Sequence, residues 1–337
     1  MPKRPTHYAL VIGINDYPGY GSRRTLQGAV RDATRFKDWL CDTTIGGGLD
    51  PANCELIVSS DNPVRPIHEE IDNALERIVT AAAAAGGPAE RLYFYFSGHG
   101  LSMDTHNVAL CLANWSGMRR HAALSSHQYL EYLKQCSPFR EVIVFLDCCR
   151  IRQGGVIGRA SELGCAVPVD GAGAKRHLIG YATEFGDTAF EAPDTTDDEV
   201  RGHFTEVLLA ALSGAAARPA GGVTAAALQE YLEKNVQLVA KASNHKQIAQ
   251  VPSDLPGHTL FGSAKPIANC TIRFSAARQG QILLEDPDLT PVHQADVTTA
   301  PWTLGLRPGL YCLTEIGTGT QYNFRFQPVP GFNDVTF

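Results

Sequence analysis

Apolar residues along the chain fall into two spacings that alternate. Unbroken runs at 8–14 (YALVIGI), 54–59 (CELIVS), 91–96 (RLYFYF), 142–146 (VIVFL) and 178–183 (LIGYAT) read as strands buried on both faces. Between them the period lengthens. Residues 26–40 put Ala29, Ala33, Phe36 and Leu40 on one helical face. A second helix is expected from Pro66, a residue suited to a first turn, with Ile67, Ile71, Ala74, Leu75 and Ile78 as its stripe. Further helices are expected near 126–136, 203–213 and 224–240, and 107–113 (NVALCLA) reads as a short strand or hairpin arm. Strands that alternate with helices predict an α/β fold, a mostly parallel sheet covered on both faces in three layers.

Two stretches break this rhythm. Residues 151–176 are rich in Gly and Ala and carry Arg152, Arg159, Lys175 and Arg176 without a period, which predicts a mobile loop. An acidic loop, EAPDTTDDE, follows at 191–199. After about residue 264 the texture becomes short apolar runs (CTIRF, QILLE, WTLGL, YCLTE, YNFRF) between Gly, Pro and Asp. The expected organisation is therefore a main domain over 1–263 and a small all-β domain over 264–337.

Composition narrows the function. With 44% hydrophobic and 19% charged residues and a net charge of −6, the chain is an ordinary globular protein without the basic stripe that nucleic acid requires. The first apolar run is too short for a membrane span or a secretory signal, so a cytoplasmic protein with no membrane partner is expected. Its nine cysteines form no CxxC pair and are expected to be reduced thiols, mostly core filler.

One thiol is placed differently. The run at 91–96 stops at Ser97-Gly98-His99-Gly100, and the run at 142–146 stops at Asp147-Cys148-Cys149-Arg150. Ligands of open parallel sheets bind beyond the carboxyl ends of the strands. If these strands are neighbours, an imidazole and a thiol share one crevice, which suffices for acyl transfer by a thiolate. Glycines beside His99 allow backbone N–H groups near a developing oxyanion, each donor contributing roughly 3–4 kcal/mol.

SGHG at 97–100 and DCCR at 147–150, about 50 residues apart, resemble the His and Cys motifs of the caspase and metacaspase clan of cysteine peptidases. The resemblance extends over residues 7 to about 262, through YALVIGIN, LQGAVRDA at 26–33, FTEVLLAAL and QVP. It implies a caspase-like fold, His99 and Cys149 as the catalytic pair, and an oxyanion hole from the backbone of Gly100 and Cys149. Caspases cut after Asp, but this chain has Asp147 where they place Gln. Metacaspases line the pocket with Asp32, Ser97 and Asp147 at the matching positions, which implies cleavage of protein or peptide substrates after Arg or Lys. Two carboxylates would favour a guanidinium, at roughly 1.5–3 kcal/mol per charge-assisted contact.

Metacaspases commonly use calcium. Here Ser125-Ser126 stand where that family has two acids, so no metal or other cofactor is expected, although Asp194, Asp197, Asp198 and Glu199 offer another acidic cluster. The resemblance also implies a zymogen, activated by itself or by an upstream protease cutting after Arg159, Lys175 or Arg176, and a place in bacterial defence or cell death. The Leu-x-Pro-Gly-x-Tyr turn at 306–311 resembles small β-sandwiches of the PEGA-like type. A catalytically silent caspase-like scaffold is the competing expectation.

Overall fold

The computed structural model describes residues 4–20, 25–85, 89–166, 175–193, 199–218, 221–275, 278, 280–286, 289–297, 300–306, 309–326 and 333–337. Five strands, β1 (His7–Gly13), β2 (Cys54–Val58), β3 (Ala89–Ser97), β4 (Phe139–Asp147) and β5 (Arg176–Tyr181), form one parallel sheet in the order β5-β4-β3-β1-β2. Every residue of β1 is buried, as the unbroken apolar run requires when both faces are covered.

Successive side chains of a strand point to opposite faces, and this divides the core in two. Tyr8, Leu10 and Ile12 of β1 pack with Ile71, Leu75 and Ile78 of α2 (His68–Ala84) and Tyr129, Leu130 and Leu133 of α3 (Ser126–Cys136). Ala9 and Val11 pack on the other side with Phe36 and Leu40 of α1 (Ala29–Cys41), Phe204 and Leu208 of α4 (His203–Ala210), and Leu228 and Leu232 of α5 (Ala225–Ala242). Each fully buried large side chain contributes about 1.5–3 kcal/mol. The three-layer expectation holds.

The outer edge of β5 is covered by the chain itself. Tyr181 donates its N–H to the Gln250 carbonyl (2.8 Å) and Ile179 to that of Pro252 (3.0 Å). A smaller sheet sits past the ends of β3 and β4, in the order Ile151–Arg152, Gly100–Ser102, Val108–Cys111, Ala123–Ser125. The run at 107–113 is thus a hairpin arm paired antiparallel to Gly100–Ser102.

Several expectations need correction. Helix α1 begins at Ala29 rather than 26. Pro66 lies ahead of α2, not in its first turn, because Glu70 turns back to accept the Ile67 N–H (2.9 Å), which makes Ile67 the N-cap and His68 the first helical residue. The expected mobile loop is docked over its described part before 167. Ile151–Arg152 pairs with Leu101 and Ser102. Arg159 bridges to Leu124. The Asp72 carboxylate takes the Ser161 hydroxyl (3.0 Å) and the Glu162 N–H (2.8 Å). Cys136 and Cys165 form a disulfide, so these two are not the reduced thiols that composition suggested.

The C-terminal region is mostly β. A three-stranded sheet (Trp302–Leu304, Cys270–Arg273, Asn333–Thr336) and a four-stranded sheet (Pro291–Asp296, Gln281–Glu285, Gly309–Glu315, Gln321–Phe326) supply a third core that includes Ile272, Leu284, Trp302, Tyr311 and Phe326. In the turn at 306–311, residues 307 and 308 lie outside the described residues.

Candidate active site

In the parallel pair of β3 and β4, Ser97 stands opposite Asp147. Both strands end there, and Gly98 donates its N–H to the Asp147 carbonyl (3.2 Å). His99 and Cys149 each follow two residues later, so one register brings imidazole and thiol out at the same end of neighbouring strands. Both line a cleft of about 400 Å³. A larger hollow, about 530 Å³, runs along β2 between Glu55, Arg65, Glu70 and Arg77 and is lined by neither cysteine nor histidine.

Cys149 is half-buried, with Sγ 3.5 Å from the Ala189 carbonyl. Its neighbour Cys148 is buried, and burial, helped by the charge of Cys149, pushes that thiol well up. The Tyr17 hydroxyl accepts the His99 N–H (2.9 Å). Cys111 donates to the His99 carbonyl (2.9 Å), which makes Gly100 and Leu110 a non-hydrogen-bonded pair. The Gly100 N–H is therefore not committed to the hairpin.

The floor of the cleft is acidic. Asp32 comes from the first turn of α1 and Asp147 from the end of β4, and both are buried. They meet around Gly202: its N–H donates to Asp32 Oδ2 (2.8 Å), and a Cβ there would lie 2.4 Å from Asp147 Oδ2. Only glycine fits between the carboxylates. Asp147 Oδ2 also accepts from the Thr205 N–H (3.1 Å) and hydroxyl (2.6 Å). Burial holds the Asp147 carboxyl at about 6, against the pull of the Thr205 hydrogen bonds. Burial and then the Asp147 charge push Asp32 well above the usual carboxylate range. Asp32 Oδ1 is buried and has no hydrogen-bond partner. A third carboxylate, Glu191, lines the same cleft and accepts the N–H groups of Gln27 (3.0 Å) and Gly28 (2.9 Å) at the start of α1. Three acids in a poorly solvated cleft make a field that suits a cation.

All six cleft residues expected from sequence, Asp32, Ser97, His99, Gly100, Asp147 and Cys149, line this one cleft. Sequence reasoning missed Glu191, Gly202 and Tyr20 as cleft residues, and Thr205, which binds Asp147 from behind. Glu191 was legible only as one acid of the loop at 191–199. The expected loop begins as a strand, Glu191–Pro193, that pairs antiparallel with Val200–Gly202; 194–198 lie outside the described residues, and Glu199 pairs with Arg31 (3.0 Å). Ser125 caps α3 and donates to Asn107 Oδ1 (3.0 Å), while the Ser126 hydroxyl accepts the Val108 N–H (2.9 Å). Arg159, Lys175 and Arg176 stand outside the cleft.

Fold and cleft together define a caspase-type α/β/α protein. The caspase-domain family model matches residues 6–259, and the chain belongs to that family. It is also 33% identical over 223 residues to a probable protease from a Desulfuromonadales bacterium, a match that covers 62% of this chain. The chain spans about a quarter of that relative's length, 26%.

Proposed function

We propose that this chain is a cysteine endopeptidase that cleaves proteins after Arg, and less readily after Lys, with Cys149 as nucleophile and His99 as base. The observation that carries the proposal is the Ser97–Asp147 register, which delivers both groups to one cleft. In the proposed reaction His99 takes the Cys149 proton and the thiolate adds to the scissile carbonyl. The backbone N–H groups of Gly100 and Cys149 receive the oxyanion. His99 then protonates the leaving amine, and water hydrolyses the acyl-enzyme. The name of the bacterial relative points the same way.

Support for the specificity comes from the acidic floor. A guanidinium can engage two carboxylates at once, and the Asp32 oxygen without a partner is the kind of acceptor it would satisfy. An aspartate side chain would meet like charge there. The test is turnover of fluorogenic peptides ending in Arg, Lys or Asp, with and without excess chelator. We expect Arg to exceed Lys, Asp to be refused and the chelator to have no effect, because Ser125 and Ser126 are occupied as a helix cap and a hairpin clasp. No turnover of any peptide would favour the silent scaffold.

The proposal includes a zymogen, cut within 151–176, in a defence or cell-death setting, and the division into 1–263 and 264–337. Arg159 is pinned on both sides, donating to the Ala123 carbonyl (2.8 Å) and accepting from the Ser125 N–H (2.8 Å). Arg176 in turn opens β5 opposite Glu141, so Arg159 and the Lys175-Arg176 pair both stay candidates for the activating cut. Among the described residues no helix is long and apolar enough to cross a membrane.

A further inference from the structure

His99 stands against two tyrosines that enter from the segment after β1. The Tyr17 ring centroid lies 4.6 Å from that of His99, tilted by 50°. The Tyr20 and His99 rings form a T-shaped pair with centroids 5.3 Å apart, and Tyr20 is backed at 4.4 Å by the buried Trp115. The Tyr17 hydroxyl works at the turn itself, accepting the His99 N–H (2.9 Å) and donating to the Cys111 carbonyl (3.3 Å). A Cβ on Gly98 would lie 2.5 Å from that hydroxyl, so the glycine of the Ser97-Gly98-His99-Gly100 turn is what admits it. Tyr17 is fully buried and the Tyr20 N–H is tied to its carbonyl (2.9 Å), which makes the pair one unit with little freedom to rearrange.

We propose that Tyr17 and Tyr20 are positioning residues that clamp His99 in the orientation in which it supports the Cys149 thiolate. The proposal rests on the dyad assigned above. Two physical effects favour it. Packing on both rings restricts the imidazole to one side-chain conformation, and a geometry fixed in advance is what makes proton transfer efficient. Both centroids also lie within the roughly 6 Å over which an aromatic ring interacts with a cation, so the clamp bears on the imidazolium that must accompany the thiolate. Tyr17 acts through the backbone and one ring. Tyr20 acts through its ring and the Trp115 behind it.

The readout is the pH dependence of Cys149 alkylation by iodoacetamide, followed by mass spectrometry on the full chain and independent of peptide turnover. Tyr20→Leu should raise the midpoint by about 0.5–1 pH unit. It should also lower kcat more than it raises KM. Tyr20→Phe, which keeps the ring, should restore both. Tyr17→Phe removes only the hydroxyl and should lower kcat roughly tenfold, as expected when a group is displaced slightly from its working position. A wild-type midpoint in folded Tyr20→Leu overturns the clamp. A wild-type midpoint unchanged by His99→Ala overturns the dyad, and the clamp with it.

Discussion

The guanidinium of Arg150 lies 4.1 Å over the ring of Tyr181, which joins the residue after the proposed nucleophile to the last residue of β5. Arg150 is buried, and its charge is met by oxygens: the carbonyls of Thr183 (3.1 Å) and Thr105 (2.5 Å) and Gln250 Oε1 (2.7 Å). Its own N–H and carbonyl bind Asp187 and Gly186, which lie just before the Thr188–Glu191 wall of the cleft. Arg150→Met leaves these acceptors without a donor and should cost about 3–5 kcal/mol, measured by urea unfolding. Arg150→Lys should recover less than half, because an ammonium cannot span three separated acceptors.

Only one of the adjacent cysteines faces the cleft as a half-exposed thiol. Cys149→Ala should abolish peptidase activity. Cys148→Ala should keep most of it and lose about 1 kcal/mol of stability through the small cavity left behind. Activity assays on both variants, with circular dichroism to establish folding, decide the matter. Equal loss in both would refute the assignment.

Asp147 makes the cleft responsive to pH. Its carboxyl titrates at about 6 in the fold and near 3.9 in an unfolded chain. Below about pH 4 it is neutral in both states, so its ionisation costs nothing. Between about 4 and 6 the unfolded chain ionises first, and stability should fall with rising pH by up to about 1.4 kcal/mol per unit. Asp147→Asn should remove the Asp147 share of that slope and leave the share of Asp32, which is also pushed up. A bound guanidinium favours the carboxylate, so an Arg-ended peptide inhibitor should release a proton on binding at pH 5–6. Calorimetry in buffers of different ionisation enthalpy would detect it, and absence of release would place the cation elsewhere.

The linker prediction concerns activation. A variant with Arg152, Arg159, Lys175 and Arg176 all changed to Ala should remain weakly active, whereas the processed wild type turns over substrate. The two pieces should stay associated, since β5 pairs with β4 over six residues and its outer edge is covered by the segment around Gln250 and Pro252. Equal turnover by the uncleavable form would rule out activation by cutting.

How much of this was legible beforehand depended on whether a signal was local. Buried parallel strands leave unbroken apolar runs, so β3, β4 and the residues at their ends could be read directly, and Asp32 and Asp147 came with the motifs around them. Glu191 reaches the cleft from a short strand, Glu191–Pro193, paired antiparallel with Val200–Gly202, and Tyr20 from a turn, and only tertiary packing sets the position of either. The docked part of the linker was invisible for the same reason: Asp72 of α2 holds Ser161 and Glu162 through hydrogen bonds that leave no periodic trace. Cys136 and Cys165 sit in no recognised spacing, and nothing short of the fold brings them together.

The Cys136–Cys165 bridge also records where the backbone is severed. Scission after Arg159 would put the two half-cystines on different fragments, which would then migrate as one species on a denaturing gel until reductant is added. Scission at Lys175 or Arg176 would leave both half-cystines on the amino-terminal fragment, and the pieces would separate with or without reductant. A pair of gel lanes therefore reads out the position of the cut before any fragment is sequenced.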